Sequence, residues 1–131
     1  IKALYVDYIQ RIRGSNDKAP KWEQISEVVM RLKDLARELD IPVVCLAQVN
    51  RDVDKRSDKR PELGDIANSS EIEKEADQIM TIYRDEVYNG DSPDRGIAEI
   101  DFKKNRHGPT GCVRVAWRPQ TMRFYDLAEQ Y

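Results

Sequence analysis

Hydrophobic and polar residues are arranged in two ways along the chain, and each arrangement predicts a different kind of strand. Residues 3–7 and 41–48 are almost continuously apolar, which is typical of strands buried on both faces of a parallel sheet. Residues 97–104 and 112–118 instead alternate between apolar and polar side chains, which is typical of antiparallel strands with one covered face. Further strands are predicted over residues 78–84 and 122–127.

One segment has the signature of an amphipathic helix. Over residues 22–39, apolar side chains recur every three or four positions and form a single stripe, and Pro20 suits the entrance of such a helix. This helix lies between the two apolar strands, so the three elements predict a right-handed βαβ unit. A shorter helix is predicted over about residues 71–76, because Ser70 and Glu73 have the spacing of a capping box.

The antiparallel part of the chain is predicted to contain a hairpin with a wide loop. Residues 105–111, which include two glycines and a proline, separate the two alternating strands. Together with the βαβ unit, this hairpin predicts an α/β fold class. Its sheet is expected to begin parallel and to end as an antiparallel hairpin and meander.

Length and charge narrow the possible functions. The chain has 131 residues, enough for one core, and its formal charge of −2 excludes a polybasic surface. Contact with nucleic acid would therefore be local or made by the backbone. No apolar run approaches the roughly 20 residues of a membrane span, and no leader sequence is evident, so we expect a cytoplasmic chain with no membrane partner. Because the chain begins at Ile1, inside an apolar run, we expect a piece of a longer polypeptide.

The cysteines and the histidine offer little reactive chemistry. Cys45 and Cys112 lie in apolar strand segments and are expected to be buried, reduced thiols. A single histidine, His107, and the lack of paired cysteines at ligand spacing argue against a zinc site.

Two polar residues follow the apolar strands. Asp7 and Gln48 each stand where a parallel-strand segment ends, and such ends share the rim at which open α/β sheets bind ligands. An Asp after an aliphatic strand suits a Walker B carboxylate, which holds Mg²⁺ indirectly at the phosphates of a nucleotide. A Gln one strand away could sense the γ-phosphate. The alternative is that both are simply the polar residues that end buried strands.

Two cations begin the hairpin loop. Lys104 and Arg106 are two residues apart and therefore point to the same side of an extended backbone. On a stiff projecting loop, such a pair suits phosphate binding, including a phosphate held by a neighbouring subunit. The alternative is a pair of ordinary solvated loop charges.

Two further loops are candidate contact surfaces. Residues 61–70 are small and polar and run into a predicted helix, so their backbone N–H groups could bind phosphates; an ordinary helix-capping loop is the alternative. Residues 51–60 carry five cations and three carboxylates. This near balance favours a solvated loop or a subunit contact over a nucleic-acid patch.

The sequence lacks a phosphate-binding P-loop. The motif ends in a glycine followed by Lys and then Ser or Thr, and none of the six glycines is followed by Lys. Since the P-loop supplies most contacts to the triphosphate, we expect that the isolated chain holds nucleotide poorly and is not an ATPase by itself.

Four segments together resemble a known family. They are LYVDYIQ (4–10), LKDLARELDIPVVCLAQVNRDVDKRSDKRP (32–61), GDIANSSEIEKEADQIMTIYRDEVYN (64–89) and KKNRHGPTG (103–111). They resemble the C-terminal motor domain of the DnaB-type hexameric replicative helicases, which is RecA-like, and they cover most of the chain in the family's order. Residues 1–131 would then be the C-terminal portion of a RecA-like helicase ATPase domain, without its Walker A part.

The resemblance implies an activity and a role for each candidate residue. The activity is ATP-driven translocation on single-stranded DNA with unwinding of the duplex. Asp7 would be the Walker B aspartate and Gln48 the polar switch between nucleotide and DNA. Arg106 would be the arginine finger, acting on ATP bound to the next subunit, with Lys104 assisting. The cofactors would be ATP and Mg²⁺, with the P-loop and the catalytic glutamate upstream of Ile1.

The resemblance also implies partners and a DNA-binding loop. The partners would be single-stranded DNA, identical subunits in a hexameric ring, a helicase loader and primase. Residues 64–71 would line the central channel and contact DNA through Gly64, Ala67, Asn68, Ser69 and Ser70. Many family members carry Arg-Glu-Ser-Gly where this chain has Ala67-Asn68-Ser69-Ser70, so that arginine and glycine are missing here. Two alternatives stay open: a nonenzymatic RecA-like module for oligomerisation or DNA binding, and an unrelated α/β binding domain.

Overall fold

The computed structural model describes residues 1–67 and 69–127, and it divides the chain into two units. The parallel unit comprises Ile1–Arg51 and Leu63–Ala76. The antiparallel unit comprises Asp52–Glu62 and the chain from Asp77 onward. Among the described residues, no helix is both long enough and apolar enough to cross a membrane.

The parallel unit is a short βαβ unit with an added helix. Strand β1 (Leu4–Val6) pairs in parallel with β2 (Val43–Cys45), and helix α1 (Lys21–Leu39) connects them. Helix α2 (Ser69–Glu75) contacts α1. The predicted βαβ start is confirmed, but both strands are shorter than predicted. At the start of β2, Pro42 has no N–H to donate to a ladder, and the strand begins at Val43. Helix α2 confirms the predicted short helix. It begins at Ser69, so Ser70 lies in its first turn and is not the N-cap that the predicted capping box requires.

The core of the parallel unit is a small cluster on one side of α1. Its buried members and the partly buried side chains that pack on them are all aliphatic: Ile9, Ile25, Val28 and Val29, with Ile12, Leu32 and Ile72. Most of the predicted stripe is therefore correct. Trp22 and Leu39 are exceptions, because they lie at the two ends of α1 and are 59% and 48% exposed.

The apolar strands of this unit are not buried on both faces, so that prediction was wrong. Tyr5 is 76% exposed and Val44 41% exposed. Helix α1 contacts β2, and alternate side chains of the two strands point away from the helix. Cys45 at the end of β2 is also exposed, and Cys112 is exposed near the end of a hairpin. Both are free thiols, so the prediction of buried thiols was also wrong.

The antiparallel unit is a four-stranded sheet whose strands follow one another in sequence order. The strands are β3 (Gln78–Tyr83), β4 (Ile97–Asn105), β5 (Gly111–Arg118) and β6 (Arg123–Tyr125). This arrangement confirms the predicted hairpin and meander, with the hairpin loop shortened to residues 106–110. The register shifts between Ile79 and Met80, which oppose Lys104 and Phe102, so Lys103 is an extra residue in β4.

One face of this sheet is covered by the segment Asp52–Glu62, here called the strap. Arg60 donates from Nε and Nη2 to the two carboxylate oxygens of Glu99, at 2.6 and 2.9 Å. The Arg60 guanidinium also lies 4.6 Å from the centre of the Tyr83 ring. At the end of the strap, Lys103 Nζ lies 2.9 Å from Glu62 Oε1. Most of the strap is exposed, as expected of a solvated loop, but Arg60 also fastens it to the sheet, a contact that the sequence did not predict.

The opposite face of the sheet is the more apolar one. Met80 pairs across the strands with Phe102, and Ile82 pairs with Ile100. Met80 is 49% exposed and Ile82 is 54% exposed, whereas Thr81 and Tyr83 on the strap side are buried. The predicted alternation of β4 is correct, but the side that carries its charged residues is the covered side.

Candidate functional site

The two polar residues that follow the parallel strands stand at the same end of the sheet. Asp7 directly follows β1, and Gln48 follows β2 by three residues. Backbone pairing continues past the strands, since Leu46 N–H donates to Val6 O and Ile9 N–H donates to Leu46 O, each at 2.9 Å. The side chains of Asp7 and Gln48 thus belong to exposed residues on one rim, where open α/β sheets bind ligands.

Gln10 fixes the backbone of Gln48. The Gln48 N–H donates to Gln10 Oε1 at 3.1 Å, and Gln10 Nε2 donates to the Gln48 carbonyl at 3.4 Å. A carboxamide can donate and accept in this way because it carries both an NH₂ group and an oxygen. Sequence reasoning missed Gln10. The available signal was its place three residues after Asp7, in the short 3-10 helix Ile9–Arg11.

The backbone after β2 is bonded directly to the candidate DNA loop. Ala67 N–H donates to the Gln48 carbonyl at 3.3 Å, and Asn50 N–H donates to the Asp65 carbonyl at 2.7 Å. The residues between these pairs form an antiparallel bridge. A shift of the backbone at Gln48 would therefore be passed to residues 65–67 through hydrogen bonds.

In the described part of the candidate DNA loop, Gly64 and Ser70 are small, exposed residues. Gly64 lies in the 3-10 helix Leu63–Asp65, and no atom lies within 4 Å of a Cβ built on it. Ser70 is exposed in the first turn of α2. Asn68 and the side chain of Ser69 lie outside the described residues. The sequence offers no Lys or Arg between Arg60 and Lys74.

The two hairpin cations, Lys104 and Arg106, lie in different environments. Lys104 lies within β4 opposite Ile79 and is partly buried. Arg106 is the first residue of the hairpin loop and is exposed. Its Nη1 donates to Asp77 Oδ1 at 2.9 Å, and its backbone N–H donates to the Asp77 carbonyl at 2.8 Å. The sequence did not point to Asp77, because this contact joins residues 29 positions apart.

The hairpin loop after Arg106 has a defined shape. Asn105 Nδ2 donates to the Pro109 carbonyl at 3.1 Å and so closes the loop. A Cβ built on Gly108 would lie 2.7 Å from that same amide nitrogen, so a side chain there would displace it. The glycine and the asparagine together hold Arg106 at the start of a tight turn.

Three ionisable groups of the strap and of the sheet beneath it have shifted pKa values. Burial, and then a 2.6 Å hydrogen bond to Asp85, raise the pKa of Tyr83 to about 12. Burial lowers the pKa of Lys103, but hydrogen bonds with Asp101 and Glu62 outweigh it and raise that pKa above its ordinary value. A backbone N–H of Arg60 lowers the pKa of Asp58. These groups stabilise the strap and lie in the antiparallel unit, whereas Asp7 and Gln48 lie in the parallel unit.

Asp7 has the chemistry of a magnesium contact rather than of a complete metal site. Among the described residues, no three His, Cys, Asp or Glu side chains form a group that could hold a metal ion. Mg²⁺ does not need such a group, because it keeps several waters and completes its shell with phosphates. One exposed carboxylate at the rim fits a contact made through water.

Comparison with known proteins decides the family. A model of the DnaB-like helicase C terminal domain matches residues 1–126. The chain belongs to this family. The replicative DNA helicase DnaB of Pasteurella multocida (strain Pm70) is 48% identical over 130 residues, which are 99% of this chain and 28% of that relative. The DnaB of Geobacillus stearothermophilus is 41% identical over 129 residues, 98% of this chain and 28% of the relative. The chain thus spans a little over a quarter of these relatives.

Solved structures agree with the family and the fold. One solved structure, described as an ATPase domain, matches 95% of this chain and 44% of its own, with a TM-score of 0.92 and 37% identity. A DnaB-like replicative helicase, described with its interactions with primase, matches with the same TM-score and identity over 95% of this chain and 30% of its own. The predicted family and the mixed parallel and antiparallel α/β fold class are confirmed. The expectation of a single sheet is wrong, because β1 and β2 form one sheet and β3 to β6 form another.

Proposed function

We propose that this chain is part of an ATP-driven replicative helicase motor that translocates on single-stranded DNA and unwinds duplex DNA. The observation that carries the proposal is the hydrogen-bonded path from the strand rim to the loop of residues 64–71. Gln48 stands on the same rim as Asp7, and its carbonyl accepts from Ala67 of that loop. A change at the nucleotide can therefore reach the DNA through one backbone contact.

At the nucleotide, each rim residue has a separate task. Asp7 would hold Mg²⁺ through water, and Gln48 would sense the γ-phosphate. Bound ATP with Mg²⁺ supplies the phosphoryl group whose transfer drives the motor. The P-loop and the catalytic base belong to the remainder of the protein, so the isolated chain is proposed to be inactive as an ATPase.

At the DNA, the loop of residues 64–71 contacts the phosphate backbone through N–H groups and small polar side chains. We propose these contacts for Gly64, Asn68, Ser69 and Ser70. The expected contact by Ala67 is not among them, because its only donor, the backbone N–H, donates to the Gln48 carbonyl. Because this stretch has no Lys or Arg, few counterions are released when it binds. Its contribution to affinity is therefore only weakly dependent on salt.

At the subunit boundary, Arg106 acts as an arginine finger on ATP held by the next subunit of a hexameric ring, with Lys104 assisting. Its place at the start of a short, closed hairpin loop supports this role, because the exposed guanidinium is presented on a stiff support. Primase and a helicase loader are the further partners that we propose. The solved relative described with primase supports the first of them. Such a motor works in the cytoplasm.

The proposal is tested by Arg106→Ala in the full-length protein. An arginine finger is worth roughly 10³–10⁵ in rate, so hydrolysis should fall by about that factor while nucleotide binding and folding stay intact. Arg106→Lys should hydrolyse ATP little faster than Arg106→Ala, because Lys lacks the forked geometry of the guanidinium. Arg114→Ala is the matched control: this arginine is similarly exposed and also pairs with an aspartate, Asp94. Near-normal hydrolysis by Arg106→Ala would overturn the finger role.

A further inference from the structure

Arg106 is held within its own chain by Asp77. The side-chain ion pair is 2.9 Å long, and the backbone N–H of Arg106 donates to the carbonyl of the same residue at 2.8 Å. While this pair is formed, Nη1 is directed at Asp77 and the carboxylate offsets the positive charge that an arginine finger supplies to a neighbouring nucleotide. To direct its full fork of N–H donors at phosphates, Arg106 gives up this contact. The contact is therefore a candidate control point for the finger.

Asp77 lies at one end of the segment that contains the candidate DNA loop and helix α2. That segment, residues 63–76, is followed directly by Asp77 and preceded directly by Glu62. Glu62 is held by Lys103, three residues before Arg106 in the chain. The end of β4 and the start of its loop thus hold the residues on both sides of the segment.

The two holding contacts differ in how readily they open. The Lys103 side chain is 15% exposed and is shared between Glu62 at 2.9 Å and Asp101 at 2.8 Å, so this contact is protected. The side chains of Arg106 and Asp77 are 42% and 48% exposed, and water and salt weaken such a pair. A triphosphate offers the guanidinium more negative charge and more acceptor oxygens than one carboxylate does. Of the two, the Arg106–Asp77 contact is the one that can exchange.

We propose that Asp77 is the resting partner of Arg106, and that the arginine exchanges between this carboxylate and the phosphates of the neighbouring nucleotide. The inference rests on the finger role proposed above and adds its regulation. When Arg106 leaves, Asp77 loses a charged partner at the end of residues 63–76. Because coupling between two sites is reciprocal, DNA that displaces this segment releases Arg106 in turn. Single-stranded DNA then stimulates hydrolysis by freeing the finger.

The test is Asp77→Asn in the full-length protein, measured as hydrolysis with and without single-stranded DNA. The variant keeps the size of the side chain and removes its charge, so Arg106 should be released without DNA. DNA-independent hydrolysis should rise, and the ratio of stimulated to unstimulated rate should fall by about fivefold or more. Asp77→Glu keeps the carboxylate and should retain most of the stimulation. Asp94→Asn, which removes a similarly exposed Asp–Arg pair, should leave the ratio unchanged.

The outcomes separate this inference from the function on which it rests. If Arg106→Ala abolishes hydrolysis while Asp77→Asn keeps the normal ratio, the exchange is wrong and the finger stands. If Arg106→Ala hydrolyses ATP normally, the finger role itself is wrong. An equal loss of stimulation in Asp77→Asn and Asp94→Asn would overturn the exchange, since it would reflect a general loss of surface ion pairs. Should Asp77→Asn fail to fold, Asp77→Ser removes the same charge with a smaller side chain, and its ratio supports or overturns the exchange by the same criteria.

Discussion

The parallel and antiparallel units are stabilised by different chemistry. In the parallel unit, the buried contacts of α1 are aliphatic, and Ile25 is fully buried among them. In the antiparallel unit, the covered face of the sheet carries Glu99 and Lys103, which bind the strap through charges. On the more apolar face, Met80 and Ile82 are about half exposed. Alternation along a strand therefore identifies the residues that share a face, but it does not identify the face that is covered.

This difference should appear as a difference in response to salt and to pH. Apolar burial gains from removing surface from water and from close contact, and neither gain depends strongly on ionic strength. Partly exposed ion pairs are screened by salt and weakened when one partner changes charge. The following substitutions use this contrast.

The largest effect is expected from the aliphatic core of the parallel unit. Ile25→Ala removes a fully buried side chain, so it should cost about 2–5 kcal/mol. Hydrogen exchange of α1 amides in the full-length protein measures this loss of stability, which should be the same at low and at high salt. Arg37→Ala on the same helix, where the side chain is 67% exposed, should stay within about 0.5 kcal/mol. A similar loss in both variants would contradict a core centred on Ile25.

An intermediate effect is expected from the strap. Arg60→Ala breaks the two-point contact with Glu99 and the contact with the Tyr83 ring. Since the Arg60 side chain is 43% exposed, the loss should be on the order of 1–2 kcal/mol and should shrink at high salt. Hydrogen exchange of β3 and β4 amides measures this loss of stability. Lys55→Ala in the same strap removes a pair whose side chains are 79% and 66% exposed, and it should have almost no effect. A salt-independent loss for Arg60→Ala would mean that packing, not charge, holds the strap.

The smallest effect at neutral pH is expected from Tyr83. Its pKa is raised to about 12 in the fold, above the ordinary value of 10, so the fold favours the neutral phenol. The resulting stability is present below about pH 10 and is lost as the pH rises from about 10 towards 12. Tyr83→Phe should cost about 1 kcal/mol at pH 7, because the hydrogen bond to Asp85 is lost. The variant should also lose less stability than the unsubstituted protein as the pH rises from about 10 towards 12, as measured by hydrogen exchange of β3 amides. An unchanged pH dependence would contradict this account of Tyr83.

The sequence was most informative where the signal is local. The apolar runs and the stripe on residues 22–39 predicted the βαβ start, and from it the shared rim of Asp7 and Gln48. Polar contacts between distant segments left no such signal. Gln10 and Gln48 are 38 positions apart, and Arg60 and Glu99 are 39 positions apart. A glutamine in a helical turn and an arginine in a charged loop look like ordinary surface residues until the fold brings their partners to them.

The exposure of the strands was mispredicted for a related reason. A continuous apolar run predicts burial on both faces only when elements cover both faces. Tyr5 and Val44 belong to a two-stranded sheet that helix α1 contacts through β2. Which face is covered depends on the three-dimensional arrangement, and the local pattern does not encode that arrangement.

The most direct test of the central claim is a mixing experiment in the full-length protein. Subunits with Arg106→Ala are combined with subunits whose P-loop has been disabled, each inactive alone, and hydrolysis is measured over a range of ratios. If Arg106 acts on ATP of the adjacent subunit, some interfaces join an intact P-loop to an intact finger, and hydrolysis should return, with a maximum at intermediate ratios. If mixed rings form but stay inactive at every ratio, action on the adjacent subunit's nucleotide is contradicted.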